Sequence, residues 1–263
     1  MEASTAVAEL SALRHRIAVL EGGTSRYQDR EAPLCFGIPA IDACLGEGLE
    51  DGAIHEAAAF SMLHVGAATG FALALAARVL KTLRRDVVWI AAGFAAAEAG
   101  RPYGLGLEAY GIPLASLLVV QVPRPAEVWW AMEEALGCRG IAAVIAELTD
   151  DTAADLTATR RLSLTAREGG GFGLLLRQQA SPHPSAAATR WRIAAAASRA
   201  DEFGGLGRTT FDLALVKNRR GPCGRWLVTW DHHEGAFAEA SLPLGLAAPA
   251  VDRSDRAPRL HAG

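Results

Sequence analysis

An α/β fold, with a mainly parallel sheet flanked by helices and an antiparallel C-terminal extension, is what this 263-residue sequence predicts. Three observations carry that expectation. Apolar runs alternate with amphipathic helical stretches through the middle of the chain. The runs are apolar almost throughout, as strands covered on both faces are. After residue 185 this rhythm changes to shorter alternating strands joined by Gly-rich turns, which suits antiparallel pairing.

Residues 5–20 open the series as an amphipathic helix. Val7, Leu10, Leu13, Ile17 and Leu20 recur at three- and four-residue spacing, and Gly22-Gly23 ends the pattern. The polar stretch TSRYQDREAP follows as a tether. The organisation expected is a helix over 1–24, a linker over 25–35, a core domain over 36–240 and a tail over 241–263. The tail is rich in Ala, Pro and charge, a composition that does not pack.

Within the core, strands are predicted at AIHEAAA (53–59), DVVWIAA (86–92), SLLVVQV (116–122), IAAVIAEL (141–148) and FGLLLR (172–177). Helices are predicted over 70–82, 126–137 and 153–168. In the second, Val128, Trp129, Met132, Ala135 and Leu136 form one apolar stripe. TRWRIAAAA (189–197), TTFDLALVK (209–217) and GRWLVTW (224–230) supply the antiparallel strands.

Bulk properties exclude little, but charge placement is informative. The net charge is −3. Residues 156–230 hold twelve Lys/Arg against four Asp/Glu, while the rest hold fourteen against twenty-five. A chain divided this way presents a field despite its small total, and the basic part can meet a polyanion. The four cysteines, Cys35, Cys44, Cys138 and Cys223, form no C-x-x-C pair and read as free thiols in a reducing compartment. The first residues lack the apolar core of a signal peptide, and no apolar run approaches a membrane span, so a cytoplasmic protein is expected.

The stretch HVGAATGFALALAARVL (64–80) reads as a turn-rich loop with two glycines, opening an alanine-rich helix after the first core strand. A phosphate-binding loop, G-x-x-x-x-G-K-[ST], occupies that position in nucleotide-binding α/β proteins. Aligning Gly70 with its second glycine places Gly66 and Thr69 in the turn, Val65 at the first glycine, Phe71 at the lysine and Ala72 at the hydroxyl. The turn is kept and the phosphate chemistry is lost. No nucleotide cofactor and no ATPase activity are therefore expected. Glu147, at the end of its strand and followed by Asp150 and Asp151, occupies the place of a Walker B acid. Without the lysine and hydroxyl it reads as a plain strand-end acid. HEAAA (55–59) lacks the second histidine of a zinc motif. DHHE (231–234) sends its adjacent histidines to opposite strand faces, so no metal is expected.

The basic elements are Arg160 and Arg161, the segment RQQASPHPSAAATRWR (177–192) and the hairpin KNRRGPCGR (217–225). Arginine flanking an aromatic ring suits single-stranded nucleic acid, with charge on phosphate and a ring under a base. Arg177, Arg190, Trp191, Arg192, Lys217, Arg219 and Arg220 are the DNA-binding candidates. For Trp191, packing in the core on one face of a strand is the competing reading and outweighs stacking.

IPAIDACLGEGLEDGAIHE (38–56) and VKNRRG (216–221) resemble the entry strand and the late Val-Lys-Asn stretch of the RecA core. More closely, GAATGFALALAAR (66–78), WWAMEEALGC (129–138), DLTATRRLSLTA (155–166), SAAATRWRI (185–193) and WLVTWDH (226–232) resemble the ImuA family, RecA-like accessory proteins of bacterial SOS mutagenesis. The resemblance spans about residues 36–237, and the degenerate loop belongs to it. It implies a RecA fold used as a non-catalytic adaptor in translesion synthesis. The implied partners are an ImuB-like inactive Y-family polymerase homologue, an error-prone C-family DNA polymerase, RecA and single-stranded DNA. An adaptor so engaged is expected at the nucleoid when active. RecA's loop corresponding to 178–189 approaches DNA, so Arg177, Arg190 and Arg192 inherit that role. Two rivals stand beside the adaptor: an ATPase or recombinase using Glu147 and a basic residue from a neighbour, and a DNA-binding module acting through its basic face.

Overall fold

The computed structural model describes residues 33–82, 85–93, 102–148, 156–198 and 207–240, with positions 100, 200 and 205 besides. The helix expected over 5–20, most of the linker, the tail from 241, and Asp150 and Asp151 lie outside the described residues.

The strands are β1 (Ile54–Ala59), β2 (Asp86–Ala92), β3 (Leu117–Val122), β4 (Ile141–Leu148), β5 (Phe172–Arg177), β6 (Thr189–Ala195), β7 (Thr209–Asn218), β8 (Gly224–Asp231) and β9 (Ala236–Glu239). They form one sheet in the order β3-β2-β4-β5-β1-β6-β7-β8-β9. Pairing is parallel from β3 through to β6 and antiparallel from β6 to β9. The helices are α1 (Pro39–Leu45), α2 (Val65–Thr82), α3 (Gly104–Ala109), α4 (Pro125–Gly137) and α5 (Leu156–Gly169). Parallel neighbours need crossovers, and α2, α4 and α5 provide them. The α/β class, the parallel sheet and an antiparallel extension stand as the sequence predicted, except that β6, read as antiparallel, pairs parallel with β1 and antiparallel only with β7.

Two apolar layers hold the sheet. On one face α2 packs against Ala57, Trp89, Ile145, Leu174, Trp191 and Leu213. Its alanines let the helix lie close to the strands, and its middle turns are buried nearly all round. On the other face α4 and α5 send Trp129, Met132, Leu136, Leu162 and Ala166 onto Ile54, Val88, Ile90, Val144 and Leu175. Strands β6 to β8 alternate: Trp191, Ile193, Leu213, Leu215, Val228 and Trp230 are buried in the core on the α2 side of the sheet. Arg190, Arg192, Lys217, Asp212 and Arg225 project from the opposite face.

Three corrections follow. Helix α2 begins at Val65 and not at residue 70, so the stretch read as a loop is helical from its second residue. Phe71, placed at the lysine position, lies in an aromatic cluster with Phe36, Trp191, Phe211 and Phe237 at ring separations of 5.8–6.2 Å. Residues 62–82 are, by length and composition, apolar enough to cross a membrane, contrary to the expectation that no run is. Their burial against the sheet is that of a core helix, which passes the same test. Helices α1 and α3 and strand β9 have no counterpart in the sequence reading.

Candidate functional site

In open parallel sheets, ligands meet the protein beyond the carboxyl ends of the strands. At the end of β1 the chain turns through residues 60–64, with a 3₁₀ turn over Met62–His64, and enters α2. An eight-residue phosphate loop starting at that strand end would place Ala59 and His64 at its glycines, Val65 at its lysine and Gly66 at its hydroxyl. None of these supplies an ammonium or a hydroxyl. Gly66 is exposed, with open space where a side chain would stand. Thr69 is half-buried and Ala72 buried within the helix. Gly70 is buried for a different reason: a methyl there would run into Tyr110 Oη and sit 3.3 Å from its Cζ. Its lack of a side chain serves packing against the Tyr110 ring.

The connection is instead apolar and rigid. Phe60 is 57%, Met62 55% and Leu63 92% exposed. The Phe60 N–H donates to Ile193 O at 2.8 Å, and the Ala195 N–H donates to His64 Nδ1 at 3.1 Å. The Arg192 guanidinium lies 4.6 Å from the centre of the Phe60 ring. The three apolar residues thus form a fixed tip with a cation beside it.

Glu147 stands near the end of β4 on the α2 side of the sheet. The Trp89 indole N–H reaches its Oε2 at 3.4 Å. Burial pushes the carboxyl upward, and that hydrogen bond opposes the shift.

The sheet brings most of the basic candidates together. Register sets Arg190 beside Glu56, and both Arg177 and Arg192 beside Ala58. Arg190 Nε meets Glu56 Oε2 at 2.5 Å, and Glu56 is only 2% exposed. The Arg190 guanidinium also donates to Ser181 O at 2.7 Å and His183 O at 3.1 Å. Lys217 Nζ donates to Ser185 O at 2.6 Å, and burial above all, with the Arg219 charge next, lowers its pKa. Arg219 donates to Ala186 O at 3.4 Å, and the Ala186 N–H donates to Thr159 Oγ1 at 3.0 Å. These cations therefore clamp the segment 178–188, which the sequence suggested would reach outward. Arg177 is buried in β5. Arg220 is exposed and donates to Gly46 O at 3.2 Å.

Trp191 does not face the basic group. It is 1% exposed, because alternation along β6 turns residues 189, 191 and 193 toward α2. The stacking role is corrected to the competing one: its ring packs on Phe36 at 5.5 Å and Trp226 at 6.2 Å.

Two residues weighed in the sequence only as the start of a zinc motif have other roles in the structure. His55 is fully buried, and its Nε2 lies 3.0 Å from Glu50 O, which only accepts. That fixes the proton on Nε2, so Nδ1 accepts from Thr189 Oγ1 at 2.8 Å. Thr189 in turn accepts the Trp191 indole N–H at 2.9 Å. Burial lowers the His55 pKa from 6.5 to about 4, against an opposing pull from the Glu50 carbonyl. Glu56 is the second, through its ion pair with Arg190. A carboxylate inside an apolar strand needs a cation, and that signal was readable. At the DHHE turn, Asp231 Oδ1 accepts from the N–H groups of His233 and Glu234, at 2.9 and 3.1 Å. His232 Nδ1 faces Ala109 O at 2.8 Å. Among the described residues no cluster of three His, Cys, Asp or Glu could hold a metal.

No protein-family model matches the chain. It is similar to Protein ImuA of two Caulobacter vibrioides strains, NA1000 / CB15N and ATCC 19089 / CIP 103742 / CB 15. Each is 36% identical over 210 residues, covering 74% of this chain and 82% of the relative.

Proposed function

The chain belongs to the ImuA family, and from that premise we propose that it is a non-catalytic adaptor with a RecA-like core, acting in mutagenic DNA damage tolerance. Its partners on this reading are an ImuB-like inactive Y-family polymerase homologue and an error-prone C-family DNA polymerase, with RecA and single-stranded DNA as further contacts. It works in the cytoplasm, at the nucleoid when damage is being bypassed. The observation that carries the reading is the turn after β1, where an apolar tip replaces a phosphate cradle. A nucleotide triphosphate would meet Val65 and Gly66 there instead of an ammonium and a hydroxyl. One lost charge-assisted hydrogen bond alone is worth about 1.5–3 kcal/mol.

The test is titration with a fluorescent ATP analogue and Mg²⁺, with and without single-stranded DNA, beside co-purification with the two polymerase-family partners. The adaptor reading expects no saturation at millimolar nucleotide and recovery of a polymerase-family partner. Saturable binding, or repeated failure to recover either partner, overturns it. The position of Glu147 favours a second reading, an ATPase completed by a neighbour's basic residue. DNA-stimulated hydrolysis that is lost in Glu147→Gln is its signature.

A further inference from the structure

Scattered exposed leucines are ordinary on a folded protein, because polar atoms cannot cover the whole surface. The turn after β1 is different. Phe60, Met62 and Leu63 fall within four residues of one another, at the sheet end where α/β proteins meet their ligands. The fold has no need of Leu63, which is almost fully in solvent. The tip is also held in place. Phe60 is tied to β6 through Ile193, and His64 is tied to it through Ala195. A surface already ordered forfeits little freedom on binding.

Charge identifies what fits there. Arg190, on the same strand, is neutralised by Glu56. Arg192 has no carboxylate within ion-pair distance among the described residues, and its Nε is buried without a hydrogen-bond partner. Among the described residues the charge beside the tip is left uncompensated. A nucleic acid backbone would engage Arg192 but gain nothing from Met62 and Leu63. A polypeptide with aliphatic side chains and one acid would engage both.

We propose that the tip formed by Phe60, Met62 and Leu63, with Arg192 beside it, docks a partner protein segment that presents aliphatic side chains and a carboxylate. This deepens the adaptor reading and rests on it. Phe60 and Met62 flank the aliphatic groups, Leu63 inserts between them, and Arg192 receives the carboxylate while its guanidinium stays over the Phe60 ring. Arginine is among the residues on which interface energy concentrates.

The experiment selects binders from a random dodecapeptide display library on the full chain. The enriched peptides are then titrated against wild type, Leu63→Asp, Met62→Ser and Arg192→Gln. The expected consensus has two or more aliphatic residues and an Asp or Glu. Leu63→Asp should weaken the best peptide about 30-fold, the worth of one buried leucine. Arg192→Gln should weaken it about tenfold, the worth of one charge-assisted hydrogen bond. Leu63→Asp should leave the melting temperature unchanged. Binders indifferent to both Leu63→Asp and Met62→Ser overturn the surface while leaving the adaptor reading intact, since a polymerase-family partner can dock elsewhere. Two further results also overturn it. One is a 30-nucleotide oligo(dT) that binds with the same Arg192 dependence and displaces the peptides, which makes the tip a nucleic acid contact. The other is a dimer that Leu63→Asp dissociates, which makes the occupant a second copy.

Discussion

The two glycines at the head of α2 should respond oppositely to the same substitution. Gly66 and Gly70 both sit in helical turns, where alanine is favoured over glycine by about 0.8–1 kcal/mol. At Gly66 nothing stands within 4 Å of an added methyl, so Gly66→Ala should keep that gain. At Gly70 the methyl would overlap Tyr110 Oη and press within 3.5 Å of the Phe211 ring. Tyr110 cannot swing away freely. Its ring lies 6.2 Å from Trp230 in a stacked arrangement and 4.9 Å edge-on from His232. Its hydroxyl bonds Thr209, and burial has already raised its pKa. Overpacking of this kind costs about 1–3 kcal/mol, which cancels or exceeds the helix gain. The two variants should therefore differ by about 2 kcal/mol, or roughly 4–8 °C in melting temperature at this size. Differential scanning calorimetry of both proteins at one pH measures it. Equal stabilisation would refute the packing account of Gly70. A loss at Gly66→Ala would show that its bare backbone has a role the fold does not reveal.

Three further expectations can be checked alongside. Burial holds His55 neutral down to about pH 4, against 6.5 when unfolded, so the unfolded state binds more protons between those values. Stability is fully present above pH 6.5 and falls by about 3 kcal/mol on acidification to pH 4, a slope that urea unfolding should find flattened in His55→Gln. Glu56→Gln leaves Arg190 half-buried without its counter-charge and should cost about 3 kcal/mol, with proteolytic nicking within 178–188 as the local readout. Trp191→Ala should destabilise by about 3–5 kcal/mol in chemical denaturation while leaving the salt dependence of oligo(dT) binding unchanged, because the ring is in the core and not on the basic face.

The first five parallel strands were legible to within a residue, because strands buried on both faces leave unbroken apolar runs that few other structures produce. The start of α2 was not. Gly66 and Gly70 read as punctuation, and only the placement of Tyr110 shows why a glycine belongs inside that helix. Strand β9 is four residues long and α3 six, too short for periodicity to register. For the candidate site, the sequence named cations that the sheet does bring close, since Arg177, Arg190 and Arg192 lie on strands either side of β1. It could not say what they touch. The partners of Arg190, Lys217 and Arg219 include main-chain carbonyls of 181–186, and every residue carries a carbonyl, so no side-chain pattern announces them. Trp191 was separable from its arginine neighbours only through strand alternation, which the structure resolves in favour of the core.

The way the turn after β1 is tied has a consequence for how its sequence can change. A loop that wraps a phosphate must present its own backbone to the ligand, so nearly every position is constrained by shape. Here the ties involve the Phe60 backbone, the Ser61 carbonyl and the His64 backbone and ring, which leaves the side chains of 62 and 63 outside the hydrogen bonds that close the loop. Substitutions at those two positions can redraw what the tip recognises while the folding free energy stays where it was. Recognition and stability are thereby uncoupled at one point of an otherwise tightly packed sheet.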